Sequence, residues 1–281
     1  MAKTLKATNA NDPGFFLTSV DRQGFLQGHG LHWVPAARKL SAFMELSDAD
    51  RSTLGCLVKR RRTFVAGRDL VLQGRSDHVA YIVLSGWACS YKLLPNGRRQ
   101  IVDFQIPGDF LGLRSLMLHL SDQSVEPITD LLVAEIRYTD LLDAFRQAPR
   151  LATGILWSAA RDHAMVVEHL VGIGRREANV RMAHFLLETG DRLSLVKNGT
   201  KAGYACPLTQ YHLADALGLS SVHVNRVLRL LREEGLVTFR DGLVTFDDYD
   251  RLVEYAEFEG GYLDQDRPHV ELAFSKWPAV S

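Results

Sequence analysis

Residues Thr209–Phe246 read TQYHLADALGLSSVHVNRVLRLLREEGLVTFRDGLVTF. Thr209 is placed to cap a helix. Leu213 and Leu217 then lie one turn apart on a single face, and Ala214 is small, as a closely crossing second helix requires. Gly218 can adopt the positive φ of a tight interhelical turn. Ser220 is placed to cap a second helix, predicted over Ser221–Glu234. Its buried side is Val224, Val227, Leu228 and Leu231. Ser221, Val222, His223, Asn225, Arg226 and Arg229 fall mainly on the other faces. The repeated LVTF around Arg240-Asp241-Gly242 predicts a hairpin with Asp241-Gly242 in its turn. A solvated helical hairpin with an Arg-studded face is a common object and carries little by itself. A capped helix pair with a small residue at the crossing, a Gly turn, an exposed basic reading face and a hairpin wing is far more restrictive. It points to a winged helix-turn-helix that reads double-stranded DNA.

The rest of the chain is compatible with that reading. Its 281 residues suffice for two domains, and 46% hydrophobic with 23% charged residues is an ordinary globular composition. The formal net charge is zero, so contact with DNA must come from a local patch. No apolar run approaches the ~18 residues of a membrane span, and the N-terminus has no apolar signal core. Cys56, Cys89 and Cys206 are an odd, scattered set, which argues against a disulfide framework and for a cytoplasmic setting.

Upstream, the chain divides by pattern. Residues 1–36 read as an irregular N-terminal arm carrying Phe15, Phe16, Phe25 and Trp33. Ser47 is placed to cap a helix whose first turn is acidic, with Asp48 and Asp50. TFVAG, DLVLQG, VAYIVLSG, ACSYKLL, RQIVDFQI and LLVAEIR, between Thr63 and Arg137, are short strand-like runs. Asn96-Gly97 between two of them is a strong hairpin signal. The block 37–138 is therefore read as an antiparallel β-barrel, and the whole chain as α+β. Thr139 or Asp140 caps the next helical pattern. Pro149 suits the first turn of a long helix over 149–173. On it Leu156, Ala160, His163, Val167 and Leu170 recur at spacings of four, three, four and three, the seam of a helix pair. Residues 139–173 are thus read as a linker and dimerisation helix, and 174–246 as the DNA-binding domain, whose first helix is predicted to end at Gly190. Residues 247–281 form an acidic extension.

This layout resembles the cyclic AMP receptor protein/FNR (Crp–Fnr) family of bacterial transcription regulators. The marks are GRRQIVDFQIPGDFLG in the barrel, the long helix, and TQYHLADALGLSSVHVNRVLRLLREEGL. The resemblance implies a cyclic-nucleotide-binding-like barrel and a homodimer on palindromic promoter sites, with RNA polymerase as a further partner. Arg226 is the first choice for a base contact, with Ser221, Val222, His223 and Asn225 completing the readout. Arg229, Thr209 and His212 are phosphate candidates.

The effector is where the chain departs from the family. The Gly108-Asp109-Phe110-Leu111-Gly112 turn is present, and Arg114, Ser115, His163, Val166 and Val167 are the remaining candidates for a pocket. Nucleotide-binding members carry a Glu for the ribose, where this chain has Leu113 or Arg114. They carry an Arg for the phosphate, where this chain has Ser124-Val125-Glu126-Pro127. A buried phosphate without a cation is costly, so gating by cyclic nucleotide is not expected. No cofactor or metal is expected, and the cysteine spacing fits no iron–sulfur cluster. A haem held by His78, Cys89 or His163 stays open, against the plainer reading of core residues. Cys206 reads as a small buried residue and Lys59–Arg62 as a solvated strand edge. A regulatory barrel attached to an enzyme is the remaining alternative, with no catalytic constellation to support it.

Overall fold

The computed structural model describes residues 34–76 and 79–263; the aromatics of the N-terminal arm, His78 and the end of the acidic extension lie outside them. The described chain begins with α1 (Pro35–Phe43), a helix the sequence reading did not anticipate. In α2 (Asp48–Leu57) the Ser47 hydroxyl accepts from Asp50 N and the Asp50 carboxylate accepts from Ser47 N, a full capping box. The strands β1 (Arg61–Phe64), β2 (Val79–Ser85), β3 (Ala88–Leu93), β4 (Arg99–Gln105) and β5 (Phe110–Leu111) follow. After the short helix α3 (Leu113–Met117) come β6 (Ser124–Pro127) and β7 (Leu131–Arg137).

These strands form two antiparallel sheets, ordered β1-β7-β2-β5 and β4-β3-β6. The sheets do not close into one another, but their inner faces share a core that includes Tyr81, Val83, Ala88, Val125 and Val133. Strand β2 shows why its sequence is apolar throughout. Tyr81 and Val83 face the inner core, while Ala80, Ile82 and Leu84 face helices packed outside. Asn96-Gly97 turns β3 into β4, with Gly97 at φ +79°. Two runs depart from the expectation. DLVLQG contributes only a bridge from Val71 to Val125. Ser124–Pro127, which carries no strand signal, pairs with β3. The cationic run behaves as an edge: β1 is an outer strand, with Arg60 bound to Asp140 at 2.7 Å and Arg62 to Glu135 at 2.9 Å.

Helix α4 (Tyr138–Gln147) starts one residue before the expected caps; Asp140 sits in its first turn and accepts from Arg137 N at 2.8 Å. Helix α5 (Pro149–Arg175) runs 27 residues from its Pro, slightly beyond the expected end. Its N-terminal half packs on α1, where a Cβ on Gly154 would come within 3.1 Å of Leu40 and Met44. Helix α6 (Ala178–Leu195) continues past Gly190, where an end was expected. Gly190 lies mid-helix because a Cβ there would meet the Phe246 ring at 3.1 Å and Tyr204 at 3.2 Å. Then come β8 (Gly199–Thr200), β9 (Gly203–Ala205), α7 (Gln210–Leu217), α8 (Ser221–Glu233), β10 (Val237–Arg240) and β11 (Leu243–Phe246). The last four strands form one antiparallel sheet, β10-β11-β9-β8. Helix α9 (Tyr249–Tyr255) and a 3₁₀ turn at Gly260–Leu263 close the described chain, with Leu252, Ala256 and Leu263 fully buried.

The outer face of the second sheet, with Cys89, Ile101 and Phe104, shares one hydrophobic cluster with Phe185, Leu213 and Val224 of the winged half. At the rim of this junction Arg99 Nε donates to Asp215 at 2.8 Å and Gln100 Nε2 to the Ala216 carbonyl at 2.9 Å.

Candidate DNA-reading face and effector cavity

The helix pair is built as its sequence dictates. The Thr209 hydroxyl accepts from His212 N, and the His212 ring accepts from Thr209 N at 3.1 Å. Burial, with Arg99 nearby, lowers the pKa of His212, so its imidazole is a neutral cap. Gly218 ends α7 at φ +63°, and the Ser220 hydroxyl accepts from His223 N at 3.2 Å to start α8. Leu213, Leu217, Val224, Val227 and Leu231 are buried between the helices, while Leu228 is half-buried. A fully buried side chain of this kind contributes about 1.5–3 kcal/mol. The wing turns at Asp241 (φ +51°) and Gly242 (φ +74°), two successive left-handed residues as a tight hairpin requires.

The predicted contact residues fall into two groups. Val222, Asn225, Arg226 and Arg229 are exposed, Val222 by 77%, with Ser221 and His223 half-exposed beside them. Arg226 Nη2 lies 3.1 Å from His223 Nε2, so the two form one polar unit on the reading helix. Thr209 is exposed at the start of α7, whereas His212 is half-buried toward the barrel.

The second feature is a cavity of about 470 Å³ between the barrel and α5. Phe110, Gly112, Arg114, Ser115, His163 and Val166 line it as expected. Gly108, Asp109 and Val167 do not. Gly108 shapes the turn at φ +97° against Pro35 and Val196. Val167 points away, on the exposed face of α5. Asp109 is spent inside the protein: Lys39 Nζ donates to it at 2.8 Å, Arg192 Nη2 at 2.9 Å and Ile106 N at 2.9 Å. Burial alone would raise its pKa, but the two cations hold it down at about 2. Arg192 also contacts Asp103 at 3.3 Å and donates to the Phe104 carbonyl at 2.6 Å. Sequence reasoning missed this network; its one visible trace was the Asp109 of the Gly-Asp-Phe turn.

The cavity's charge is the reverse of a phosphate site. Asp103, Asp122 and Asp162 line it, and Arg114, the one Arg among its described lining residues, is bound to Asp122. Burial, and then the neighbouring carboxylates of Asp109 and Asp103, push Asp162 up to about 6 even with Lys39 beside it. On β6 Val125 faces the cavity, while Glu126 binds Arg99 on the outer side. The two haem candidates among the described residues, Cys89 and His163, do not converge. Cys89 is packed in the outer cluster, its thiol pushed up to about 12 by burial, and His163 lines the cavity from α5. Cys206 is buried beside the wing, its thiol likewise raised to about 12 by burial.

Comparison with known proteins decides the family. The Crp-like helix-turn-helix domain profile matches residues 180–255, and the cyclic nucleotide-binding domain profile matches residues 61–148. The chain is 32% identical over 193 residues to the nitrogen fixation regulation protein FixK of Bradyrhizobium diazoefficiens, spanning 69% of this chain and 80% of that one. This chain belongs to the Crp–Fnr family. It is also 30% identical to the transcriptional activatory protein AadR of Rhodopseudomonas palustris, over 75% of this chain and 87% of AadR. The solved structure of FixK2 from Bradyrhizobium japonicum superposes with a TM-score of 0.63 at 28% identity, covering 69% of this chain and 96% of that one. A Crp-family regulator from Thermus thermophilus, at 21% identity and TM-score 0.56, bears on the fold alone. The Crp–Fnr chain is accordingly a DNA-binding transcription regulator of the FNR/FixK type. Among the described residues no helix is long and apolar enough to cross a membrane.

Proposed function

We propose that this Crp–Fnr regulator works as a homodimer on a two-fold symmetric operator, and that cyclic nucleotide does not gate it. One observation carries the dimer. Leu156, Ala160, His163, Val167 and Leu170 are all exposed on a single stripe of α5, while Leu151, Ile155 and Met165 on its other faces are buried. An apolar stripe of that length with heptad spacing is matched by a second copy of itself. Pairing α5 with its twin sets two α8 helices for successive major grooves. Arg226 then reads a guanine, with Ser221, Val222, His223 and Asn225 beside it and Arg229 and Thr209 on phosphates.

The acidic cavity supports the second half of the proposal, because among the described residues its lining offers no free cation to a phosphate. Placing Arg at both Val167 and Leu170 is expected to give monomers by light scattering and to abolish operator binding. A double variant that stays dimeric would place the interface elsewhere. Calorimetry with cyclic AMP and cyclic GMP is expected to give no saturable heat at micromolar concentrations; saturable binding would overturn the nucleotide-independent reading.

A further inference from the structure

We infer that the barrel cavity receives a small molecule with an apolar body and a protonated nitrogen group, an amine, amidine or guanidine, rather than an anion. The inference rests on the nucleotide-independent reading above and deepens it. At about 470 Å³ the cavity is in the size range of small-molecule sites. Val102, Leu111, Val125 and Val166 give it apolar walls.

Two acceptor atoms of its lining residues are left unmatched among the described residues. Gln105 is only 6% exposed; its Nε2 donates to Asp103 at 3.1 Å, and its Oε1 is buried with no partner among the described residues. Asp162 Oδ1 is buried without a hydrogen bond as well. Lys39 stands 3.7 Å from it but donates to Asp109 instead. Two orphaned acceptors among the cavity's lining residues form a built site for a donor, since buried polar groups are otherwise satisfied. Arg161 Nη2 and Arg192 Nε, two buried donors without partners, belong to residues that do not line the cavity. A cation next to Asp162 would also offset the burial and the neighbouring carboxylates that hold its carboxyl up at about 6. A metal ion fits less well, because among the described residues no three His, Cys, Asp or Glu side chains converge on a common point. An anion would meet three carboxylates and a single Arg, exposed by 66% and already bound to Asp122.

The test uses the full chain and three ligands with one apolar body: 2-naphthamidine, 2-naphthamide and 2-naphthoate, with cyclic AMP alongside, in titration calorimetry. The amidine is expected to bind at least about tenfold more tightly than the amide, as a charged hydrogen bond warrants, and the naphthoate not at all. Asp162→Asn is expected to erase the preference for amidine over amide. Gln105→Leu is expected to weaken both. Binding of naphthoate as tight as that of the amidine, no binding by any of the three, or an undiminished preference in D162N would overturn the inference. Saturable cyclic AMP binding would instead overturn the nucleotide-independent reading, so the two failures are separable.

Discussion

Arg192 Nη2 and Asp109 Oδ2 meet at 2.9 Å with both side chains buried. Arg192 comes from the last turns of α6, in the DNA-binding half, and Asp109 from the barrel turn just before β5. Lys39 of α1 closes the other side of the same carboxylate. One buried anion thus joins three parts of the chain. Removing one partner of such a pair leaves an uncompensated buried charge, which costs about 3–5 kcal/mol. Arg192→Leu, which keeps much of the volume, is expected to lose that much stability in urea denaturation. A loss below about 1 kcal/mol would mean that Lys39 alone satisfies Asp109.

The same network sets opposite pH dependences at two carboxylates. Asp109 is held at about 2, below its unfolded value, so its contribution is complete above about pH 4 and is lost as pH falls through 2. Asp162 is raised to about 6, so the folded state binds the extra proton. Its contribution is complete below about pH 4 and is lost as pH rises through 6. Asp162→Asn is therefore expected to be more stable than the parent at pH 7 by about 3 kcal/mol, from the rise from 3.8 to about 6 at about 1.4 kcal/mol per pH unit, and nearly equal to it at pH 4. Denaturation midpoints across that interval measure it. A variant that gains nothing at pH 7 would mean that Lys39 fully compensates the carboxylate.

Gly190 yields a packing prediction. Its missing side chain is the space occupied by the Phe246 and Tyr204 rings, so Gly190→Val forces overpacking and is expected to cost about 1–3 kcal/mol in thermal or urea unfolding. An unchanged midpoint would show that the rings move aside freely.

The same glycine marks where sequence reading ran out. The helix pair, the hairpin at Asn96-Gly97 and the wing at Asp241-Gly242 were legible because caps, turns and periodicity are local. Gly190 was legible as a glycine but not as a contact, since Phe246 lies far along the chain. Ser124–Pro127 was read only for the Arg it lacks; it is a strand because β3 offers it a partner, not because its residues favour one. Lys39, Asp103 and Asp162 carry no local signal at all, because three separate elements bring them together. The cavity's lack of a phosphate cation was visible in the sequence. Its orphaned acceptors, Gln105 and Asp162, required the fold.

The last prediction concerns which bases the reading helix selects. Val222 is the most exposed apolar side chain on α8, at 77%, and Ser221 before it stands at the helix start. In the family this position commonly holds a Glu that accepts a hydrogen bond from cytosine. Valine cannot accept that bond, but it can pack against a thymine methyl. The operator base pair facing Val222 is therefore expected to be A·T, while Arg226, one turn further on the same exposed side, reads a guanine. Losing Arg226 should cost ~1–3 kcal/mol and relax preference at that guanine. Val222→Glu should move preference to G·C at its own position and leave the guanine preference intact. Selection from random double-stranded DNA with the parent, Arg226→Ala and Val222→Glu reads both positions in one experiment. If Val222→Glu selects the same half-site as the parent, Val222 faces no base, and α8 enters the groove at an angle other than the one its exposed face implies.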